Sequence, residues 1–187
     1  MTGAAVPGQG APSGPGRAAA TEHRPFLRWP DRRLATAASP VAGVDATVRA
    51  LWDEMIRAME AMPGVGLAAP QLGVMLRLAV VDASAGRGQA LRLANPEILA
   101  VSAETRRETE GSPNLPGVWA EVERPAEVTL RYLDETGATV ERRLTGLWAT
   151  SVQHQIDHLE GRMFFDRLKP VRRRMLLARA AKQGRRA

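Results

Sequence analysis

Between Val44 and Met62 the apolar side chains fall at Val44, Val48, Leu51, Met55, Met59 and Met62, at intervals of three and four. That spacing is one face of an amphipathic helix, and Pro63-Gly64 ends it. Methionine fills irregular gaps, so the Met-rich face reads as core packing. Short strand candidates follow at Arg77 to Val81, Leu91 to Ala94 and Val128 to Leu133. Asp134-Glu135-Thr136-Gly137 comes after the last of these, and Val140 to Leu144 is expected to pair back across it as a hairpin. A second helix is predicted from about Leu147 to Glu160, stopped by Gly161. Pro170 opens a third, from Val171 to Lys182, with Met175, Leu176 and Leu177 available to dock it. Strands grouped between helices predict an α+β domain.

Residues 1 to about 22 are Gly, Pro, Ala and Ser with hardly any large apolar group, and are expected to be disordered. Order is expected from Arg24. At 187 residues, 44% of them hydrophobic, the remainder suffices for one domain with a real core. The expected division is a tail (1–22), a domain (24–169) and a basic C-terminal segment (170–187).

The net charge of +6 is unevenly placed: from Arg167 to Ala187 there are nine Lys or Arg and no Asp or Glu. A solvated basic helix accounts for this. A contact with polyanion, nucleic acid or a ribosomal surface, is the sharper alternative. No run is apolar and long enough to span a membrane, and no secretory signal is legible, so the expected location is the cytoplasm. The chain has no Cys, which excludes disulfides and any thiolate metal ligand.

Candidate chemistry centres on His154-Gln-Ile-Asp-His158. Two imidazoles four residues apart lie on one face of a helix, close enough to share a metal ion. In metal hydrolases built on this frame, a Glu after the first His moves the proton of the bound water. Here that residue is Gln155, which cannot titrate.

Three blocks in order, Gly64-Val-Gly-Leu-Ala-Ala-Pro-Gln71, Glu110-Gly-Ser-Pro-Asn-Leu-Pro-Gly117 and Gln153-His-Gln-Ile-Asp-His-Leu-Glu-Gly161, resemble the peptide deformylases. The similarity extends to Pro30-Asp31 with Leu34, Pro40-Val41, Asn95-Pro96 and Arg124-Pro125 through Tyr132-Leu-Asp134, covering roughly Arg24 to Lys169. The resemblance implies short antiparallel strands packed around the central His-x-x-x-His helix, with an N-terminal helix and a basic C-terminal one. It also implies removal of the formyl group from the N-terminal formyl-methionine of new proteins, at a ferrous iron or zinc ion held by two His and one Cys. On this chain His154 and His158 match the two His ligands and Gln71 the oxyanion-binding Gln. Val65 and Gly66 match the loop along the substrate, and Leu147 is expected to line the methionine pocket.

Three positions depart from that pattern. Ser112 stands where the family has its ligand Cys, and an unionised hydroxyl is a poor metal ligand. Gln155 stands at the general base, a role typically worth roughly 10²–10⁴ in rate. Pro113, without an N–H, follows the ligand position, removing a backbone oxyanion donor worth on the order of 10²–10³ in other hydrolases. Glu108 and Glu110 are conceivable replacement ligands, although nothing in the sequence places them near the histidines. Asp157 reads as support that orients an imidazole. The expectation is therefore a deformylase-like protein with Fe²⁺ or Zn²⁺ bound weakly or not at all and with activity lost or strongly impaired. It would still bind formyl-methionyl or other peptide N-termini. The alternatives are a working metal-dependent deformylase with a rebuilt site, and a protein docking on ribosome or RNA through residues 170–187.

Overall fold

The computed structural model describes residues 23–184. The expected disordered tail, residues 1–22, lies outside the described residues. In chain order the elements are α1 (Ala46–Glu60), β1 (Gly66–Ala68), β2 (Leu78–Val81), β3 (Leu91–Val101), β4 (Thr105–Ser112), β5 (Leu115–Pro125), β6 (Glu127–Leu133), β7 (Thr139–Thr145), α2 (Gly146–Leu159) and α3 (Pro170–Gly184). Short 3-10 turns cover Arg32–Ala35, Ala69–Leu72 and Phe164–Arg167.

The expected α+β class holds. Five strands form an antiparallel sheet in the order β1-β2-β3-β6-β7, and β4 and β5 form a separate two-stranded hairpin. Asp45 caps α1 by accepting from the Val48 amide at 2.8 Å. The expected apolar face of α1 packs inward at Val48, Leu51, Met55 and Met59, joined by Trp52 and Ala58. Strand β2 explains why the sequence shows no alternation there. Leu78 and Val80 face the cluster built on α1, while Ala79 and Val81 face the cluster built on α2. A strand covered on both sides reads as a continuous apolar run. The turn after β6 is fastened by Asp134, whose Oδ1 accepts from the Thr136 amide (2.9 Å), the Thr136 hydroxyl (2.6 Å) and the Ala138 amide (3.1 Å).

Four strands differ from the expectation. β3 runs on from Ala94 to Val101 through Asn95-Pro96, with register shifts against β6. The three residues of β1 are too short to carry a period. The β4–β5 hairpin was not anticipated because its strands are rich in charge, with Arg106, Arg107, Glu108, Glu110, Glu121, Glu123 and Arg124. It is held by a third cluster, in which Leu115, Val118 and Val122 meet Phe164, Phe165 and Leu176 of α3. The basic C-terminal helix therefore docks on the hairpin through its own apolar side chains. No helix among the described residues is long and apolar enough to cross a membrane.

Candidate functional site

Helix α2 runs through the middle of the molecule, and every residue from Ala149 to Leu159 is buried. Burying Gln153, His154, Gln155, Asp157 and His158 together requires that each find a partner or keep a reason for lacking one. His154 and His158 lie on one face with ring centroids 4.9 Å apart.

His154 has a partner. Its Nδ1 lies 2.7 Å from Oε2 of Glu110 on β4. Burial pushes the Glu110 carboxyl up. The hydrogen bonds from Arg124 and His154, together with their charges, outweigh that and hold it below the ordinary carboxylate range. An ionised carboxylate only accepts, so Nδ1 donates this bond.

Arg124, itself 1% exposed, clamps Glu110 with Nε and Nη2 at 2.5 and 2.8 Å and reaches Asp157 with Nη1 at 2.8 Å. Asp157 is held further by Arg167 at 2.6 and 3.0 Å. Here the sequence-based expectation is corrected: Asp157 does not orient an imidazole but closes a charge network behind the site, and Glu110 is the residue that turns His154. The reason is topological. The hairpin brings Glu110 and Arg124 against α2, and that hairpin was not legible. Glu110 was named in the sequence; neither Arg124 nor Asn114 carried any signal of a role.

His158 has no partner. Both ring nitrogens are buried and make no hydrogen bond, and burial, then the neighbouring His154, pushes its pKa well below the ordinary value. The Gln155 side chain is 4% exposed, its Oε1 without a partner, and the Thr150 hydroxyl shares that condition. Gln155 packs against β1 where Gly66 leaves room. A Cβ on Gly66 would lie 2.6 Å from the Ser151 hydroxyl and 2.7 Å from Gln155 Nε2.

Ser112, Gln71 and Asn114 form a closed set. Gln71 Oε1 accepts from the Ala68 amide at 2.8 Å, and its Nε2 donates to Asn114 Oδ1 (2.8 Å) and Ser112 Oγ (3.4 Å). The Ser112 hydroxyl donates to Asn114 Oδ1 at 3.0 Å and accepts from the Asn114 amide at 3.3 Å. Asn114 Nδ2 spends its hydrogens on the carbonyls of Leu27 and Gln71. A hydroxyl has one hydrogen and two lone pairs, and an amide nitrogen two hydrogens. Both the Ser112 hydroxyl and the Gln71 amide are fully engaged.

These residues surround one cavity of about 460 Å³. Its lining includes Val65, Gly66, Gln71, Ser112, Pro113, Leu147, His154 and Gln155, so most residues singled out in the sequence converge there; His158, 1% exposed, is not among the lining residues. Glu108, Pro116 and Trp119 also line it.

A family model described as polypeptide deformylase matches residues 23–174. The chain belongs to the peptide deformylase family. It is 43% identical over 169 residues to a peptide deformylase of Rhizorhabdus wittichii, covering 87% of this chain and 96% of the relative. With a peptide deformylase of Cellvibrio japonicus it shares 39% over 159 residues, 85% and 94% of the two chains. Among solved structures, a peptide deformylase from Legionella pneumophila superposes with a TM-score of 0.81 at 37% identity, covering 88% of this chain and 96% of that one. The Ehrlichia chaffeensis enzyme in complex with actinonin gives 0.80 at 30% identity, over 86% and 97%.

The peptide deformylase family implies a metal held by two His and one Cys. Among the described residues no three His, Cys, Asp or Glu side chains are grouped to hold an ion. One unpartnered nitrogen of His158 and Nε2 of His154 supply two donors of the right kind. The third position carries a hydroxyl whose hydrogen and lone pairs are already engaged. The donor set does not fit the family's ion.

Proposed function

We propose that this chain keeps the peptide deformylase groove as a binding site for peptide N-termini, formyl-methionyl ones included, and that its formyl-hydrolysing activity is lost or strongly impaired. The observation that carries this reading is the closed hydrogen-bonded set of Ser112, Gln71 and Asn114. It engages both the hydroxyl at the thiolate position and the amide that would meet an oxyanion. Gln155 cannot take up a proton, and Pro113 has no N–H to donate. These groups act as a unit, so their separate costs do not multiply.

Retention of the groove is supported by its walls. β1 is an edge strand, paired only with β2, and β4 pairs only with β5. Residues 64–66 and residues 108–112 line the same cavity. An extended peptide entering there would find unpaired strand edges to bond with, the usual logic of strand addition.

The competing reading, a working metal-dependent deformylase, is the name its relatives carry at about 40% identity. It would need a third ligand and a base. Glu110 is committed to Arg124 and His154, and Glu108 is paired with Arg106. The test is metal analysis of protein purified without oxygen, followed by formate release from a formyl-methionyl peptide. Little bound iron or zinc and turnover no higher than that of His154→Ala are expected. Robust metal-dependent release would reinstate the enzyme.

Docking on RNA or ribosome is a compatible second role. Arg172, Arg174, Arg179 and Lys182 are exposed on α3, while Leu176 and Leu177 dock on the hairpin; Met175, expected to dock as well, is 66% exposed among the cations. The helix thus offers a charged outer face without costing the fold anything.

A further inference from the structure

Trp119 is the most conspicuous side chain the site's chemistry leaves unused. It is 63% exposed, although a tryptophan normally contributes more to a folded protein when its large apolar area is covered. It lines the same cavity as His154 and Gln155. Its position is set by Gly111, which lies in β4 at the register shift after the Glu110–Ala120 pair. A Cβ on Gly111 would sit 2.5 Å from Cδ1 of the indole and 2.8 Å from its Nε1. The ring therefore lies against the bare Gly111 backbone of β4. An exposed indole held on a strand, with two χ angles and a backbone platform beneath it, loses little entropy when something stacks on it.

The geometry of strand addition says what would stack. Successive side chains of an extended chain point to opposite faces. A peptide lying between β1 and β4 with its first side chain directed inward, toward Leu147, turns its second to the opposite face. The indole lies on that face of β4: a Cβ on Gly111 would meet it, while the neighbouring Glu110 points the other way, to His154 on α2. Leu147 is itself 46% exposed on the cavity wall, which suits it to meet an incoming apolar side chain. Glycine at position 111 has no side chain to stand between the indole and that second residue.

We propose that Trp119 is a specificity-determining residue of the groove, favouring a peptide whose second side chain is aromatic. This rests on the peptide-binding reading above. Ring pairs of this kind prefer offset or edge-to-face contact and add modestly to the area they bury. The expected discrimination is therefore about three- to tenfold in Kd.

The test compares two probes, formyl-Met-Phe-Ser-amide and formyl-Met-Ala-Ser-amide, by titration calorimetry against the full chain. The intact protein should prefer the Phe peptide by that margin. Trp119→Ala should bring the ratio of the two affinities close to one, and Trp119→Tyr should keep most of the preference. A ratio near one in the intact protein overturns the proposal, as does a preference that survives Trp119→Ala. Saturable binding of the Ala peptide with no preference sinks this inference alone. Failure of both peptides to bind the intact protein sinks the groove reading and this inference with it.

Discussion

Nδ1 of His154 meets Oε2 of Glu110 at 2.7 Å, so the orientation of this ring is set by a hairpin strand and not by its own helix. The same carboxylate receives two bonds from the buried Arg124 guanidinium. Glu110→Gln keeps the shape and removes the charge, leaving Arg124 with Asp157 alone. Breaking a buried pair from one side commonly costs several kcal/mol, so urea unfolding should show a loss of about 3 kcal/mol. A change below about 1 kcal/mol would mean that the network is looser than its distances imply.

Restoring the three departures together is the strongest check on the proposed loss of activity. Ser112→Cys with Pro113→Leu and Gln155→Glu returns thiolate, backbone donor and base to one site. Formate release from a formyl-methionyl peptide should rise from background and become metal-dependent, while each single change alone stays near background. If the triple variant folds and binds iron or zinc without gaining turnover, the groove itself has changed.

The buried ionisable groups predict a two-step loss of stability in acid. The pKa of folded His158 lies well below the ordinary value near 6.5, so the unfolded chain takes up that proton first. Stability is full above pH 6.5 and falls as pH drops below it, by at most about 1.4 kcal/mol per pH unit. Glu110 and Asp157 are likewise held below their ordinary range. Their contribution is present above about pH 4.5 and is lost as pH falls through 4 and then through the lower folded values. Urea midpoints measured from pH 8 to pH 3 should show both limbs. His158→Gln should flatten the first and leave the second, and a wild-type midpoint unchanged between pH 6.5 and 5 contradicts the assignment.

Charge reversal on α3 separates its two faces. Leu176 is buried against the hairpin, so deleting the helix would damage the fold as well as the charge. Arg172→Glu, Arg174→Glu and Arg179→Glu together should leave the unfolding midpoint nearly unchanged. Any salt-sensitive binding to ribosomes or RNA should fall at least tenfold. Binding that is insensitive to both salt and the triple reversal would remove α3 from the account.

Helix α1 was legible because one-sided burial imposes a period, and β2 because a strand covered on both sides is a short continuous apolar run. Val48, Leu51, Met55 and Met59 repeat at helical spacing, and Asp134 to Gly137 has the chemistry of a tight turn. The convergence of Gln71, Ser112 and His154 on one cavity was also foreseen, through the family's three sequence blocks and not through periodicity.

The sequence by itself determined the chemical inventory: no sulfur ligand, no carboxylate beside His154 on α2, no N–H at Pro113. Covalent structure decides those absences whatever the fold. Only the tertiary structure decided which groups remain free. It paired Glu110 with His154 and Arg124, closed Ser112 onto Gln71 and Asn114, left His158 unpartnered and laid Trp119 over Gly111. The physical reason is that hydrogen bonds and ion pairs across the β4–β5 hairpin depend on the register of two charged strands. Charged strands leave no hydrophobic period from which that register could be read.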